Sequence, residues 1–311
     1  MKIAVFDIGT NSIHMLVVDA HKNGSFKVLD HEKDTARLGD GSFESKKLSK
    51  VSMERAFAVI GRFHKLAEKR GVQCVIGVAT SAVRDAKNGR HFVRRLFRET
   101  GVEVRIITGK EEARLIFLAA ISEAPKNEKA VVLDIGGGSV EFILGSRRKI
   151  YFLESFPLGV ARLTDHFIST DPPSKKELAV LERFLERRLK NTTEKARKIG
   201  FASVIGTAGT LINLASMAYE AREEKPLKIK SHSLLKIKNL NEIHETLLRS
   251  KIRERLILPG LDARRADLII AGSIFLKTIM RLLGVGEILI SKKGIRQGLI
   301  LDFIAKHKKI I

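Results

Sequence analysis

Two glycine-containing segments of the chain carry acidic residues at matching positions. The first is Lys2–Val17, KIAVFDIGTNSIHMLV, and the second is Lys129–Leu144, KAVVLDIGGGSVEFIL. They align without a gap, so that Asp7 corresponds to Asp134. Self-similarity at such a separation predicts two domains that each begin with strand, DIG turn and strand.

The second turn has residue types that suit phosphate and metal binding. The glycines Gly136–Gly138 have no side chains to block an anion, and they allow backbone N–H groups to form an anion-binding concavity. Ser139 adds a hydroxyl donor, and strand alternation puts Glu141 on the same face as Ser139. Asp134 is a candidate ligand of a phosphate-bound divalent cation. An ordinary glycine-rich hairpin is the alternative, but the aligned first copy favours two phosphate-binding turns.

The segment ITGKEEARLIFLAAI predicts a helix in which two neighbouring glutamates have different tasks. Thr108 and Glu111 have the spacing of a capping box, which gives Glu111 a structural task. Glu112 instead belongs to an apolar stripe at helical spacing, which predicts a buried position. The stripe consists of Glu112, Leu115, Ile116, Ala119 and Ala120. A carboxylate there either pairs with a basic group or a metal, or has a raised pKa and acts as a base.

Two further positions raise open questions. In ATSAVRDAKN, Ser81 is expected to cap a short helix and to place Arg84 in its first turn. An arginine binds phosphate oxygens with a planar fork, although a surface arginine is the alternative in so basic a chain.

His14 occupies the place in the first segment that Glu141 holds in the second. This difference indicates that the two turns do not share one task, and no catalytic role is predicted for His14.

The segment SVIGTAGTL predicts a strand-to-helix turn that contains Gly206 and Gly209. Such a turn suits contact with a nucleotide or an inner phosphate, and it equally suits close packing of the helix. Both interpretations stay open.

Regular elements alternate in a way that predicts an α/β fold. KIAVF, SIHMLVVD and SFKVLDH predict a meander, and SKVSMERAFAVIGRFHKLAEKRG predicts the helix after it. QCVIGVAT and EVRIITG predict strands on either side of a helix at GRHFVRRLFRETG, which implies a parallel crossover. The polar segment SEAPKNEK then predicts a boundary near residue 124, between domains at 1–124 and 125–297. The unpatterned segment 218–233 predicts a loop.

Composition limits the partners and the compartment. The 311 residues carry a formal net charge of +22, which attracts polyanions, whereas a lysine-rich solvated surface is the plain alternative. Aromatic residues make up 6% and tryptophan is absent, which weakens a case for base stacking, so no specific nucleic acid is expected. No apolar run reaches about 18 residues and no signal-peptide pattern opens the chain, so no membrane association and a cytoplasmic location are expected. A single cysteine, Cys74, excludes an internal disulfide.

Four motifs together carry a resemblance to a known family. ATSAVRDAKN, ITGKEEARLIF, LDIGGGSVEF and GTAGTL resemble the exopolyphosphatase/guanosine pentaphosphate phosphohydrolase (Ppx/GppA) family. That family is part of the acetate kinase–sugar kinase–heat-shock protein–actin superfamily. The resemblance spans essentially the whole chain. It implies an α/β fold of two ribonuclease-H-like, actin-like ATPase domains, an active site in the cleft between them, and a final helix, 298–311, that packs back on the first domain.

The resemblance also implies an activity and a set of site residues. The activity is Mg²⁺-dependent hydrolysis of the terminal phosphate of inorganic polyphosphate, or of pppGpp. A homodimer is compatible with the resemblance. The implied catalytic residues are Glu112, as the base, with Glu141 and Arg84. The implied phosphate-binding residues are Asn11, Ser12, Arg84, Gly136, Gly137, Gly138, Ser139 and Gly209. The implied metal ligands are Asp134, Glu141 and Asp7.

Two other functions are compatible with the same motifs. One is an ATP-dependent kinase or ATPase of the superfamily that uses GTAGT for adenosine, and the other is a polyphosphate- or nucleotide-binding regulator without catalysis. The acidic residues at Glu112, Asp134 and Glu141 argue against the regulator. Lys292 and Lys293 depart from the pattern of many relatives, and their role stays undetermined.

Overall fold

The computed structural model describes residues 1–125, 127–223 and 233–307. Most of the loop predicted at 218–233 lies outside the described residues, as do the last four residues of the predicted final helix. No helix in the described ranges is long and apolar enough to cross a bilayer.

The chain divides into two compact units. Unit 1 consists of Met1–Ala119 together with Lys293–Ile311, and unit 2 is Ala120–Lys292. The sequence-based limits at 124 and 297 differ from these by a few residues. The C-terminal segment thus joins the unit that the N-terminus begins.

Unit 1 is built on a five-stranded mixed sheet. Its strands are β1 (Lys2–Ile8), β2 (Ile13–Ala20), β3 (Phe26–Asp34), β4 (Cys74–Ala79) and β5 (Val104–Ile106). They lie in the order β3-β2-β1-β4-β5. The first three pair antiparallel, and β4 and β5 extend the sheet in parallel, so the predicted meander and parallel crossover are confirmed.

Helices cover both faces of this sheet. They are α1 (Ser42–Ser45), α2 (Lys50–Lys69), α3 (Ser81–Asp85), α4 (Gly89–Thr100), α5 (Gly109–Ala120) and the last helix of the chain, α12 (Ile295–Lys306). On one face Phe6 and Met15 join a cluster with Phe63 of α2 and Phe92 of α4. Alternate residues of β1 and β2 join a second cluster with α5 and α12. Strand alternation therefore supplies both layers of the core.

Unit 2 repeats this plan on a six-stranded sheet. Its strands are β6 (Ala130–Ile135), β7 (Val140–Gly145), β8 (Ile150–Phe156), β9 (Ser203–Thr207), β10 (Ser233–Lys236) and β11 (Glu287–Ile290). They lie in the order β10-β11-β9-β6-β7-β8. The antiparallel β6-β7-β8 meander and the parallel neighbours β9 and β11 match β1 to β5, while β10 adds an antiparallel edge.

The helices of unit 2 complete a single large hydrophobic core. They are α6 (Val160–Phe167), α7 (Lys175–Ile199), α8 (Ala208–Glu223), α9 (Ile237–Arg249), α10 (Ile252–Arg255) and α11 (Ile269–Leu283). Leu133 and Phe142 of the sheet pack in one cluster with Leu185 of α7 and Phe275 of α11. Because α8 extends to Glu223, the loop predicted to begin at residue 218 is wrong at its start.

Candidate active site

The turn Gly136–Ser139, between β6 and β7, is supported from behind by α6. Gly136 N donates to Ser139 O at 3.1 Å and closes the turn. The first turn of α6 donates to the other carbonyl groups. These bonds run from Val160 N to Gly136 O at 3.0 Å, from Ala161 N to Gly137 O at 2.8 Å, and from Arg162 Nε to Gly138 O at 3.2 Å.

These bonds determine where the N–H groups of the turn point. In a planar trans peptide the N–H points opposite to the C=O. Since the carbonyls of Gly136–Gly138 point to α6, the N–H groups of Gly137, Gly138 and Ser139 point away from it. None of these three N–H groups donates to another residue within the described parts of the chain. The turn therefore presents a row of donors that suits an anion.

The position before α6 is occupied by the one residue type that fits. A Cβ added at Gly159 would lie 2.3 Å from Gly138 N and 2.4 Å from Gly137 C. Contacts this short with backbone require the turn to move. Gly159 thus allows α6 to approach close enough to hold the turn.

The turn of unit 1 has the same design in different residues. Gly9 N donates to Ser12 O at 3.1 Å, as Gly136 N does to Ser139 O. The carbonyl of Thr10 accepts from Gly39 N at 2.8 Å, and that of Asn11 accepts from Arg37 N at 2.9 Å. The N–H groups of Asn11 and Ser12 therefore point away from the segment 37–39.

Asn11 and Ser12 also carry buried side chains with unused polar atoms. Both residues are more than nine-tenths buried, and Asn11 Nδ2 and Ser12 Oγ have no hydrogen-bond partner among the residues that the structure describes. Buried polar atoms are normally hydrogen-bonded, so these two suit an exogenous acceptor. Thr10 is different, because its hydroxyl is 2.9 Å from Ser81 Oγ.

That contact overturns the expected role of Ser81. The residue before α3 is Thr80, no side chain caps the helix, and Ser81 is its first residue. The predicted cap at Ser81 is wrong because its hydroxyl is used in the contact with Thr10.

Asp134 and Glu141 are brought together as direct cross-strand partners of β6 and β7. Directly opposed residues of an antiparallel pair place their side chains on the same face, with Cβ atoms about 5 Å apart. Glu141 is 1% exposed, and its Oε1 accepts from Ser155 Oγ at 2.8 Å. Two oxygen-rich side chains therefore lie beside the turn Gly136–Ser139.

These two carboxylates fit a Mg²⁺ ion that is bound partly by phosphate oxygens. No group of three or more His, Cys, Asp or Glu side chains that could hold a metal occurs in the described residues. Mg²⁺ is commonly held by one or two carboxylates together with waters and phosphate oxygens. Asp134 and Glu141 match that requirement for an ion that arrives with a phosphate.

Asp7, the counterpart of Asp134, has a basic neighbour. Burial raises the pKa of Asp7 to about 6, and the nearby Arg296 of α12 opposes this rise. Burial likewise lowers the pKa of Arg296, and Asp7 opposes that change. Arg296 Nη1 donates to His31 Nε2, and burial together with Arg296 lowers the pKa of His31, which favours the neutral ring as acceptor.

Unit 2 contains a buried arginine near Asp134. Arg265 is 8% exposed, and its Nε has no hydrogen-bond partner among the described residues. Burial lowers its pKa, while Asp262, Asp267 and Asp134 oppose this change. A Cβ at Gly209 would lie 2.3 Å from Arg265 Nη2, so the close approach of this guanidinium explains the glycine. The packing interpretation of GTAGT has a structural basis, and a phosphate contact of Gly209 stays a prediction.

Glu112 is buried at the start of α5 and bonded to Arg84 of α3. Arg84 Nη1 donates to Glu112 Oε2 at 2.8 Å and also to Ile107 O at 3.3 Å. Glu112 is 8% exposed, and the other members of its stripe are 2% exposed or less. The predicted buried face is confirmed, and the predicted basic partner of Glu112 is present.

Glu111 is held on the other side of the helix. Its N–H donates to Thr108 Oγ1 at 3.1 Å, which is the Thr108 half of the expected capping box. Its carboxylate Oε1 pairs with Arg105 at 2.6 Å. The neighbouring glutamates therefore differ in environment, as the pattern predicted.

Several residues around these groups carried no sequence signal. Arg265, Arg296, Ser155 and Gly159 come from segments far from the motifs they contact. Of these four, only Arg265 belongs to a noticeable local pattern, DARRAD, and that pattern does not predict which acidic residue the arginine approaches.

Comparisons with known proteins agree on the family. The model of the Ppx/GppA phosphatase family matches residues 17–307. Exopolyphosphatase 1 of Mycobacterium tuberculosis (strain ATCC 25618 / H37Rv) is 32% identical over 303 residues, which cover 97% of this chain and 88% of that protein. The chain therefore belongs to the Ppx/GppA phosphatase family.

Solved structures support the same assignment. An exopolyphosphatase from Cytophaga hutchinsonii has a TM-score of 0.92 and 29% identity, with 98% of both chains covered. The Aquifex aeolicus member of the Ppx/GppA family has a TM-score of 0.82 and 28% identity, again with 98% of both chains covered. The predicted α/β class with two actin-like domains is confirmed. The chain is a phosphoanhydride hydrolase, as predicted, which leaves the kinase and regulator alternatives without support.

Proposed function

We propose that this chain is a Mg²⁺-dependent exopolyphosphatase that removes the terminal phosphate of inorganic polyphosphate. The observation that carries the proposal is the turn Gly136–Ser139, whose three consecutive N–H groups point away from α6 and have no partner among the described residues. A terminal phosphate offers three oxygens to such a row of donors. The exopolyphosphatase relatives support the choice of substrate.

Side chains of unit 1 that the family resemblance assigns to phosphate binding suit this task. Asn11 Nδ2 and Ser12 Oγ are buried atoms that lack partners in the described residues, and each would donate to a phosphate oxygen. Arg84 contributes its guanidinium. Its described contacts use Nη1 and Nε, so that Nη2 remains for a phosphate oxygen. Phosphoryl transfer depends mainly on such positioning and charge stabilisation.

Glu112 would orient and deprotonate the attacking water. The bond from Arg84 holds its carboxylate in one orientation. The water oxygen attacks the terminal phosphorus while its proton passes to Glu112, and the bond from that phosphorus to the bridging oxygen breaks. The shortened polyphosphate leaves with the bridging oxygen, and orthophosphate is released.

Asp134 and Glu141 would hold the metal beside this phosphate. Mg²⁺ held there would supply positive charge that offsets the charge on the transferring group. Ser155, which donates to Glu141 Oε1, fixes the orientation of one of the two carboxylates. Whether Asp7 adds to the metal shell stays a prediction.

Phosphate release is the direct test. Purified protein with Mg²⁺ is offered polyphosphates of several lengths, pppGpp and ATP side by side. We expect the fastest release from polyphosphate. If phosphate were released from pppGpp and not from polyphosphate, the substrate would be pppGpp instead. Its terminal phosphoanhydride bond has the same chemistry.

The base assignment has its own matched pair of variants. Glu112→Gln preserves a hydrogen-bond acceptor for Arg84 but removes the basic carboxylate, and we expect kcat to fall about 10²- to 10⁴-fold. Glu111→Gln alters the neighbouring glutamate that pairs with Arg105, and we expect less than about a threefold change. Circular dichroism checks that both variants fold. Near-normal turnover by Glu112→Gln would show that another group activates the water. Cytoplasmic location and a homodimer stay predictions from the sequence and the resemblance.

A further inference from the structure

A pocket between α6 and α7 lies within unit 2 and uses none of the residues assigned to phosphate or metal. Its volume is about 480 Å³. The lining residues are His166, Phe167, Val180, Arg183, Phe184 and Arg187. Ligand pockets have volumes of about 300 to 1,000 Å³, so this one has room for a small organic molecule.

Three of the lining residues have aromatic rings. The ring centroids of Phe167 and Phe184 are 4.8 Å apart at a tilt of 43°. The His166 ring meets Phe167 edge to face, with centroids 4.6 Å apart. Such faces favour a flat ring, which gains contact area and aromatic interactions at once.

Two arginines of α7 also line the pocket. Arg183 and Arg187 are four residues apart on α7, so they project from the same side of the helix. Both are exposed, and neither forms an ion pair within the described residues. The intervening acids do not neutralise them, because Glu182 and Glu186 both pair with Arg281 of α11.

We propose that the α6–α7 pocket binds a purine mononucleotide, a planar aromatic ring that carries a phosphate. The ring lies against Phe167 and Phe184, and the phosphate lies between Arg183 and Arg187, whose forked donors suit its oxygens. Inorganic phosphate alone leaves the apolar wall without contact, and an uncharged ring leaves both arginines unpaired. The pocket is therefore complementary to the two parts joined in one molecule.

Binding of AMP, measured by isothermal titration calorimetry on the full chain, tests this proposal. Adenosine and inorganic phosphate are titrated in parallel, since each lacks one of the two parts. We expect AMP to bind at least tenfold more tightly than adenosine, and phosphate to bind more weakly than either.

Paired variants of α7 locate the site. Arg183→Gln with Arg187→Gln removes both pocket cations, and we expect the Kd for AMP to rise at least tenfold. Arg188→Gln with Lys190→Gln removes the same charge from exposed residues of α7 that do not line the pocket, and we expect less than a twofold change. The control separates a local contact from the general attraction of a basic chain for anions.

Three results would each overturn the proposal. They are absence of AMP binding to the unmodified protein, equal binding of AMP and adenosine, and equal losses in the two double variants. All four substitutions are at exposed positions of one helix, so the melting temperature of each double variant is expected to stay close to that of the unmodified protein.

Discussion

The turns Gly9–Ser12 and Gly136–Ser139 have one backbone design and different surroundings. In both, the glycine N–H donates to the serine carbonyl at 3.1 Å, and neighbouring segments hold the inner carbonyls. The first turn is supported by the irregular segment 37–39, whereas the second is supported by α6. The shared geometry can therefore be maintained by different partners.

The strands beside the turns differ in their chemistry. Asp134 faces Glu141 across β6 and β7, but Asp7 faces His14 across β1 and β2. The first turn has polar side chains at Asn11 and Ser12, while the second has glycines and depends on its N–H groups. The comparison teaches that one duplicated backbone turn can have different side chains beside it, with two carboxylates facing each other only in unit 2.

The sharpest test of this division compares Glu141 with His14. We expect Glu141→Gln to lower kcat by a hundredfold to a thousandfold, which corresponds to about 3 to 4 kcal/mol of activation free energy. The reason is that it removes a carboxylate charge beside the phosphate on which charge develops in the transition state. The Mg²⁺ concentration for half-maximal rate is expected to rise as well. His14→Gln, at the matching position, is expected to change kcat less than about threefold. Equal losses in phosphate release would mean that the two strands share the same role.

Asp7 provides a test based on pH. Its pKa is about 6 in the folded protein, against an ordinary value near 3.8, so ionisation destabilises the folded state. The penalty is absent below pH 3.8, grows as pH rises, and is complete above pH 6. Asp7→Asn removes it and is expected to stabilise the protein at pH 8 by up to about 3 kcal/mol, with no gain at pH 3.8. Urea unfolding at both pH values measures the effect, and a gain that does not depend on pH would contradict this reason.

The glycines behind the turns should tolerate substitution unequally. A Cβ at Gly159 meets backbone atoms of Gly137 and Gly138, whereas a Cβ at Gly39 lies 2.4 Å from the Thr10 Cγ2 methyl. We expect Gly159→Ala to destabilise unit 2 by about 2 kcal/mol and to impair phosphate release, because the turn must move. Gly39→Ala is expected to cost about 1 kcal/mol, since a side chain can adjust. Thermal unfolding ranks them, and a larger loss at Gly39 would reverse the comparison.

The smallest expected effect concerns the hydroxyl groups that support each turn. Ser155→Ala removes the bond to Glu141 Oε1 and is expected to lower kcat about tenfold, because bonds to charged groups contribute about 1.5 kcal/mol. Ser81→Ala removes the contact with Thr10, and about a threefold loss is expected from a neutral bond. Steady-state assays at saturating Mg²⁺ compare them. A greater loss at Ser81 would place the more critical support in unit 1.

The sequence predicted most of what is local or repeated. The alignment of Asp7 with Asp134 predicted two domains that each begin with strand, turn and strand, and both sheets contain that meander, since equal patterns of apolar residues and turns produce equal meanders. Helical spacing placed Glu112 on the buried face of α5, because periodicity reports the side of a helix that packs.

The remaining features depend on contacts between distant segments. Arg84 and Glu112 are 28 residues apart, and Arg296 approaches Asp7 from the opposite end of the chain. Residue types and spacing do not determine which side chains, far apart in the sequence, become neighbours in the fold. Ser81 shows the same limit, because its contact with Thr10 replaces the local cap that its sequence suggests.

The hydrogen bonds between α6 and the second turn have an electrostatic consequence. The peptide dipoles of a helix align, so that its N-terminus carries partial positive charge. The α6 N–H groups donate to carbonyls of Gly136 and Gly137, whose peptides therefore point the same way as those of the helix. Aligned peptides polarise one another. The turn thus extends the positive pole of α6 to the N–H groups of Gly137 and Gly138, and attracts an anion through backbone alone.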